Sequence, residues 1–402
     1  MVIPITTSYT LNDFMEFPNL AFKLAFIKPF RRPHETKPTI LAWILFSIGA
    51  GNLVYQNFGM LIAMIFTKND SIDIVLIISE TGSILGLAMV ALCKMTILFA
   101  YRKDILSILE ELENYFPGVL KVHRCCRRIQ YRVKYFAEFS RKMMKITTIF
   151  FMFAFLVYNL IPVGQSLIEW LVFGLHFQYR YQSNTWYPWN GNTVIRYTLS
   201  YVCQVYSSLA GVAFIMAGEF MLCFFLTQMR MHFDFLARAL ESLDAVEVEA
   251  DPGCMNFLIQ YHTTLIRLTT EINHIFNISF CVNFATSSVA ICLMGCSMVM
   301  GISLISAVRY SIGLLSFLVF TLFICYNGSI FTQTSAKLHS AAFYHNWYDA
   351  SPKYRKTILI IIMRAAKPSE LQAYKFSKVS METFMDILKF SYKLFTFFRA
   401  ME

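Results

Sequence analysis

Long apolar stretches alternate with shorter polar ones along the whole chain, and each apolar stretch can cross about 30 Å of hydrocarbon as a helix. They fall at 41–66, 72–99, 144–173, 197–227, 276–307, 310–333 and 377–400, which predicts seven spanning helices. The last is unlike the others. Between Phe376 and Met401 the charged residues Lys378, Glu382, Asp386, Lys389 and Lys393 are interleaved with Phe384, Ile387, Leu388, Leu394, Phe395 and Phe398. At about 100° per residue the five charges share one arc roughly 80° wide. Each ionisable group at membrane depth costs roughly 2.5–3.5 kcal/mol unless it faces a bundle interior or an aqueous path, so the pattern suits a helix wetted on one side. It equally suits intrahelical pairs, Lys378 with Glu382 and Asp386 with Lys389, on a helix lying at the membrane surface. Pattern alone leaves both readings open.

The polar stretches carry structure of their own. Residues 101–116 form an amphipathic pattern, with Ile105, Leu106, Leu109, Leu112 and Phe116 on one side, ended by Pro117-Gly118. Helical patterns at Met229–Leu243 and Met255–Asn273 run into the neighbouring spans and should project beyond the membrane to pack together. The segment Phe14 to Phe30 reads as amphipathic and lying near the bilayer. The outer loop His176–Asn192 holds Trp186, Tyr187, Pro188 and Trp189, which fit interface belt residues as well as a lid over a ligand.

Composition supports the class. Of 402 residues, 56% are hydrophobic and only 15% charged, with 39 Phe, far from the soluble norm. The expected fold is an all-α polytopic membrane protein forming one transmembrane domain over 1–402, with no internal repeat. The first thirty residues show no apolar core followed by a cleavage site, so no cleavable signal peptide is expected. Basic residues set the orientation: five precede residue 40, ten lie between Arg102 and Lys142, three between Arg230 and Arg267, and seven between Lys337 and Lys375. The other side then carries Lys68, Arg180, Arg196, Arg309 and the terminal Arg399. This predicts a cytosolic N-terminus and an extracellular C-terminus. The net charge of +10 accordingly reads as topology and contact with membrane lipid, with no nucleic acid as partner.

Of ten cysteines, Cys125, Cys126 and Cys254 fall in cytosolic loops and the others in spans, so no extracellular disulfide is expected. Cys125 and Cys126 read as an inert thiol pair, with acylation as the alternative. Asn69-Asp70-Ser71 is a glycosylation sequon close to the membrane. No phosphate-binding glycine loop, His-Glu-x-x-His, Gly-x-Ser-x-Gly or Cys-x-x-Cys pattern is present. Catalysis is not supported, and no cofactor or metal is expected.

The C-terminal third is more specific. Cys325-Tyr326-Asn327-Gly328, Ser335, His339-Ser340-Ala341-Ala342-Phe343-Tyr344, Trp347 and Arg364-Ala365-Ala366-Lys367-Pro368 precede Phe376-Ser377-Lys378-Val379-Ser380-Met381-Glu382-Thr383-Phe384 and Ile387-Leu388-Lys389-Phe390-Ser391-Tyr392. This series resembles the insect odorant receptor family. Met231-His232-Phe233 and the His262, Glu271, Phe276 pattern fit it too.

The resemblance implies an odorant-gated cation channel of four subunits around a pore lined by the seventh helix, in a sensory neuron's dendritic plasma membrane. The chain looks like a tuning subunit, because residues 228–274 lack the insertion of the shared co-receptor, its implied partner. The family's seventh element is split, which would make Lys356–Ala366 a cytosolic part and Phe376–Met401 the pore helix. The gate would then fall at Phe397, Ala400 and Met401, beside the charged arc. Three basic groups on that face, Lys378, Lys389 and Lys393, would oppose cations unless Glu382 and Asp386 or partner groups neutralise them.

The implied ligand is a small volatile organic molecule held in the outer half between spans two to six. Candidates by depth and helical face are Ile77, Glu80, Thr81 and Ile84, then Phe155, Tyr158, Asn159 and Pro162, then Tyr201, Val205, Ser208, Phe317, Phe320 and Thr321. Glu80 is the strongest polar candidate, whereas Glu219, deeper in its span, reads as a tether between helices. Three other classes were weighed. A gustatory-type channel subunit shares the architecture, a G-protein-coupled receptor would need the reverse topology, and a transporter would want paired repeats.

Overall fold

Each predicted span is mainly helical in the computed structural model, which describes residues 9–27, 30, 40–66, 71–189, 193–243, 251–300, 304–374 and 376–400, so that part of the predicted 276–307 span, 301–303, lies outside the described residues. The side chains of 71–80, 252, 300, 304, 306, 399 and 400 lie outside that description. In chain order the helices are α1 (Leu11–Phe14), α2 (Glu16–Leu24), α3 (Ile40–Phe66), α4 (Ser71–Ala100), α5 (Arg102–Tyr115) and α6 (Val133–Phe173). They continue with α7 (Val194–Glu241), α8 (Pro252–Met300), α9 (Leu304–Tyr344), α10 (Pro352–Ala365) and α11 (Met381–Ala400). Among the described residues, six helices are long and apolar enough to cross a membrane: α3, α4, α6, α7, α8 and α9. The seventh in order, α11, is 20 residues long, about 30 Å at 1.5 Å per residue, and carries the charges.

Helix α7 is the axis of the fold. Every residue from Ala213 to Phe233 is buried, so a helix apolar nearly all round is accounted for by neighbours on all sides. It packs against α2, α3, α4, α6, α8 and α9. Phe214, Phe220, Phe224, Phe225 and Phe233 are almost wholly enclosed. Burying such a ring is worth roughly 1.5–3 kcal/mol, which favours aromatic filling of one helix by its whole surroundings.

Helices α6 to α9 continue well beyond the length a bilayer requires, and their projecting ends pack together as the sequence pattern suggests. His232 Nδ1 meets Tyr261 Oη at 2.6 Å, and Tyr131 Oη lies 3.0 Å from Tyr261 Oη, which joins the α5–α6 connection, α7 and α8. The N-terminal segment is more deeply engaged than an amphipathic helix resting on lipid. Phe14 and Phe22 are buried, Phe17 meets Phe220 of α7 edge-on at 6.4 Å, and Phe14 meets Phe116 edge-on at 6.2 Å.

The split seventh element is visible. His345 Nε2 lies 3.0 Å from Tyr354 Oη and His339 Nδ1 lies 3.2 Å from the Ile362 carbonyl, tying the end of α9 to α10. A two-stranded antiparallel pair, β1 (Gln372–Ala373) and β2 (Ser377–Lys378), then leads into α11. Helix α11 therefore starts later than the sequence pattern suggests, because Ser377 and Lys378 are taken into the strand pair. The cysteine reading also changes: Cys125 is joined to Cys254 by a disulfide, and of the expected thiol pair only Cys126 is free.

Candidate ligand cavity and charged helix

A cavity of about 160 Å³ lies among α3, α4, α6, α7, α8 and α9, at the end of the bundle where the loop between α6 and α7 crosses. Its walls are Leu53, Gln56, Asn57 and Met60 of α3, Ser83, Ile84, Leu87 and Ala88 of α4, and Phe151, Ala154, Phe155, Tyr158 and Asn159 of α6. Gln204, Ser207, Ser208, Gly211, Val212 and Ile215 of α7, Met294 of α8, and Ile312, Gly313, Ser316 and Phe317 of α9 complete them. The surroundings are mainly apolar, with a few amides and hydroxyls.

The outer loop closes the top. Gln182 and Ser183 line the cavity, and Gln204 holds both, accepting from the Gln182 N–H at 3.0 Å and donating to the Ser183 carbonyl at 3.0 Å. Trp186 N–H donates to the Gly59 carbonyl at 3.0 Å, and Gln56 Nε2 donates to Tyr187 Oη at 2.7 Å. Arg309 of α9 donates to the Gln182 carbonyl and to Tyr158 Oη, the latter at 3.1 Å, with its guanidinium 4.7 Å from the Tyr158 ring centre. The loop is thus pinned across this end of the cavity by α3, α7 and α9. Burial in this cluster pushes the Tyr187 hydroxyl up to about 12, so it stays a neutral donor and acceptor.

Of the residues singled out from the sequence, Ile84, Phe155, Tyr158, Asn159, Ser208 and Phe317 come together on this cavity. The side chains of Ile77 and Glu80 lie outside the described residues. Thr81 is buried in α4 away from the described lining. Pro162 is buried within α6, where its carbonyl accepts from Ser166 Oγ at 3.0 Å. Tyr201 Oη donates to the Asn159 carbonyl, and the Val205 carbonyl accepts from Ser208 Oγ at 2.9 Å, so both support a wall without forming it. Phe320 meets Phe151 at 6.2 Å, and Thr321 Oγ1 donates to Ser287 Oγ at 2.9 Å, joining α9 to α8. Asn69 lies outside the described residues.

Two features escaped the sequence. The first span supplies a full wall, because α3 leans on α7, where Tyr206 Oη donates to the Leu45 carbonyl at 2.7 Å and Asn52 Nδ2 to the Cys203 carbonyl at 2.6 Å. The second is below the cavity. Lys94 of α4 forms a buried ion pair with Glu219 of α7 and also donates to Ser279 Oγ at 2.9 Å. Two opposite charges inside apolar stretches were the available signal, and only Glu219 was read as a tether.

Helix α11 docks through one face. Ile387 and Ser391 are buried, Ser391 Oγ donates to the Ser288 carbonyl of α8 at 2.9 Å, and the Met381 N–H donates to Ser329 Oγ of α9 at 2.8 Å. Ser380 caps its start, its Oγ accepting from the Thr383 N–H at 3.3 Å. The opposite face is exposed and carries Glu382, Asp386, Lys389, Lys393 and Phe397. Lys389 Nζ lies 3.4 Å from Asp386 Oδ1, and both are about two-thirds exposed. Lys378 is not on this helix: it sits in β2 and pairs with Glu370 at 2.9 Å, in place of the expected Glu382. Ala400 ends the helix, its side chain outside the described residues, as is Met401.

The model of the 7tm odorant receptor family matches residues 77–392. Putative odorant receptor 69a, isoform B, of Drosophila melanogaster is 32% identical over 400 residues, covering 98% of this chain and 100% of that protein. This chain belongs to the insect odorant receptor family. Odorant receptor 85c of Drosophila melanogaster is 26% identical over 96% of this receptor and 99% of its own length. The receptor also shares its fold with the solved insect olfactory receptor OR5 from Machilis hrabei, in complex with eugenol, at a TM-score of 0.81. That likeness covers 98% of this chain and 99% of OR5 at 15% identity. A multi-pass membrane location follows from family and apolar helices together.

Proposed function

We propose that this odorant receptor is the tuning subunit of an odorant-gated cation channel, binding a small volatile in the cavity and lining part of a central pore with α11. The reading rests above all on one observation, an apolar cavity closed by a hydrogen-bonded lid in a chain whose last helix keeps a charged face outward. A helix buried on one side and charged on the other, within a bundle of membrane length, suits an aqueous path shared with other subunits. Glu382 and Asp386 supply the cation-attracting charge, Lys389 and Lys393 oppose it, and Phe397, near the C-terminal end of α11, is the described member of the gate expected at Phe397, Ala400 and Met401. The shared co-receptor supplies the remaining lining of a heterotetramer.

The cavity suits a compact guest, since apolar cavities of about 150 Å³ hold molecules the size of benzene. Larger volatiles require side chains such as Met60, Met294 and Phe155 to move. Gln56 Oε1 and Asn57 Oδ1 are buried without a hydrogen-bond partner, and favour a ligand with a hydroxyl to donate. Orientation follows the basic residues: N-terminus and projecting helix ends in the cytosol, C-terminus outside.

The test is whole-cell current under a panel of volatiles, with the receptor alone and with the co-receptor. Current in the pair only, with altered cation selectivity in Lys393→Ala or Phe397→Ala, is the expected result. Equal current from the receptor alone, or selectivity unmoved by every substitution on the charged face, overturns the reading.

A further inference from the structure

At the projecting end of the bundle, the disulfide between Cys125 and Cys254 joins residues 129 apart in sequence. Its surroundings contain more chemistry than a cross-link needs. A His123 ring nitrogen and the two sulfurs all lie within 4.8 Å of one another. His123 Nε2 faces Asp251 Oδ2 at 3.6 Å, and Nδ1 is buried with no hydrogen-bond partner. Asp251 is itself fixed at the start of α8: its Oδ1 accepts from the Gly253 N–H at 3.2 Å and its carbonyl accepts from the Cys254 N–H at 3.0 Å. A Cβ on Gly253 would come within 3.1 Å of both His123 Nε2 and Asp251 Oδ1, so the missing side chain lets the imidazole sit against the first turn. Phe257, one turn further on, lies 6.3 Å from the His123 ring.

Two sulfurs and an imidazole therefore converge from two separate segments, with the Asp251 carboxylate facing the imidazole. Cys254 occupies the first turn of α8, where aligned backbone dipoles favour a thiolate. The Cys125-Cys126 pair is flanked in sequence by Arg124 and Arg127. This end of the bundle is the basic one and faces the cytosol in the orientation proposed above, a compartment in which structural disulfides seldom persist. Thiolate, imidazole and carboxylate together are a ligand set for zinc and ions of similar softness.

We propose that in the reduced receptor His123, Cys125, Cys254 and Asp251 form a four-coordinate site for a zinc-class ion, clamping the α5–α6 connection to the start of α8. Two molecules of a monothiol such as glutathione open the disulfide. They deliver two electrons and two protons to the paired sulfurs and leave joined as their own disulfide. Metal binding then releases the two thiol protons to solvent. The sulfurs come to rest about 3.8 Å apart around the ion, given Zn–S bonds of about 2.3 Å. Cys126 Sγ, 3.4 Å from Cys125 Sγ but fully buried, stays a free thiol. Because α8 runs on to pack along α11, the clamp fixes the base of a helix that supports the charged one.

The test is cobalt(II) titration of the full-length receptor, purified in detergent, reduced with a phosphine and freed of excess reductant. The expected result is tetrahedral cobalt absorption with a thiolate charge-transfer band, saturating at one ion per chain and displaced by zinc. Cys125→Ser and Cys254→Ser abolish the band, His123→Ala weakens binding at least tenfold, and Cys126→Ser leaves it unchanged. Wild-type receptor reoxidised with diamide loses the band, a control that involves no folding variant. No band although thiol titration shows both cysteines reduced overturns the site, as does a band that survives Cys254→Ser or vanishes with Cys126→Ser. Alkylation of intact cells that finds Cys125 and Cys254 already disulfide-bonded also overturns it. None of these readouts depends on odorant response, so the channel reading can fail separately.

Discussion

At the scale of single residues, the ion pair between Lys94 and Glu219 is the least forgiving contact in the fold. Both side chains are about 3% exposed, in stretches of α4 and α7 that are otherwise mainly apolar. Removing one partner strands a buried charge, so Glu219→Leu or Lys94→Met alone should cost about 3–5 kcal/mol, while the two together should recover most of it. Thermal unfolding of the detergent-purified receptor in a double-mutant cycle measures this. A cavity-wall prediction sits at the same scale. The unpartnered Gln56 Oε1 and Asn57 Oδ1 should reward a donor on the ligand by about 0.5–1.5 kcal/mol, up to roughly tenfold in potency. Asn57→Ala should therefore weaken an alcohol more than the matching methyl ether in concentration–response curves, and equal weakening would count against the contact. Half of this was legible in the sequence. Phe155, Tyr158 and Asn159 could be placed by depth and face, but Gln56 and Lys94 required knowing which helices lean together, and a helical period does not carry that information. The Cys125–Cys254 bond was hidden for the same reason, since 129 residues separate the partners.

At the scale of elements, the spanning helices were legible and the segment leading into the last one was not. Hydropathy gave α3 and α4 nearly to the residue, because lipid leaves an apolar helix no alternative backbone pairing. The start of α11 was missed because periodicity cannot see a two-residue strand pair, which draws Ser377 and Lys378 out of the helical count. That pair also explains Gly328. A Cβ there would lie 2.3 Å from the Val379 carbonyl oxygen and 2.7 Å from Val379 Cγ1, so α9 can accept the segment leading into α11 only where it has no side chain. Gly328→Ala should displace that segment and cost about 1–3 kcal/mol. Its signature is a lowered melting temperature together with reduced odorant-evoked current, at a surface expression close to wild type. A second element-scale expectation concerns acid. Burial holds His345 below its ordinary pKa, so it is neutral beside Tyr354 in the folded protein. Above about pH 6.5 the imidazole is neutral whether folded or unfolded and costs nothing. As pH falls below that value the unfolded chain takes up a proton that the folded one resists, and stability declines. Melting temperature should fall between pH 7 and pH 5, and His345→Gln should flatten that slope.

For the whole molecule, the question is what covers the charged face of α11. Within one chain Glu382, Asp386, Lys389 and Lys393 look outward at the depth of the spanning helices, where lipid would be costly. In the proposed assembly a ring of subunits would turn the same face toward water and remove the cost. Among the described residues six helices are apolar enough to face lipid, and the last, with its four charges on one face, is not one of them. Orientation gives the corresponding test. With the projecting, basic ends in the cytosol, an epitope at the C-terminus should be stained on intact cells and one at the N-terminus only after permeabilisation. The reverse pattern would put Lys389 and Lys393 at the opposite end of the permeation path and the Cys125–Cys254 bond in an oxidising space, where it would simply be a stabilising cross-link. One staining experiment therefore bears on the pore reading and the metal site together. Cation current that requires the co-receptor, with the C-terminus outside, is the combination that a chain with two acids and two lysines on the exposed face of its last helix should produce.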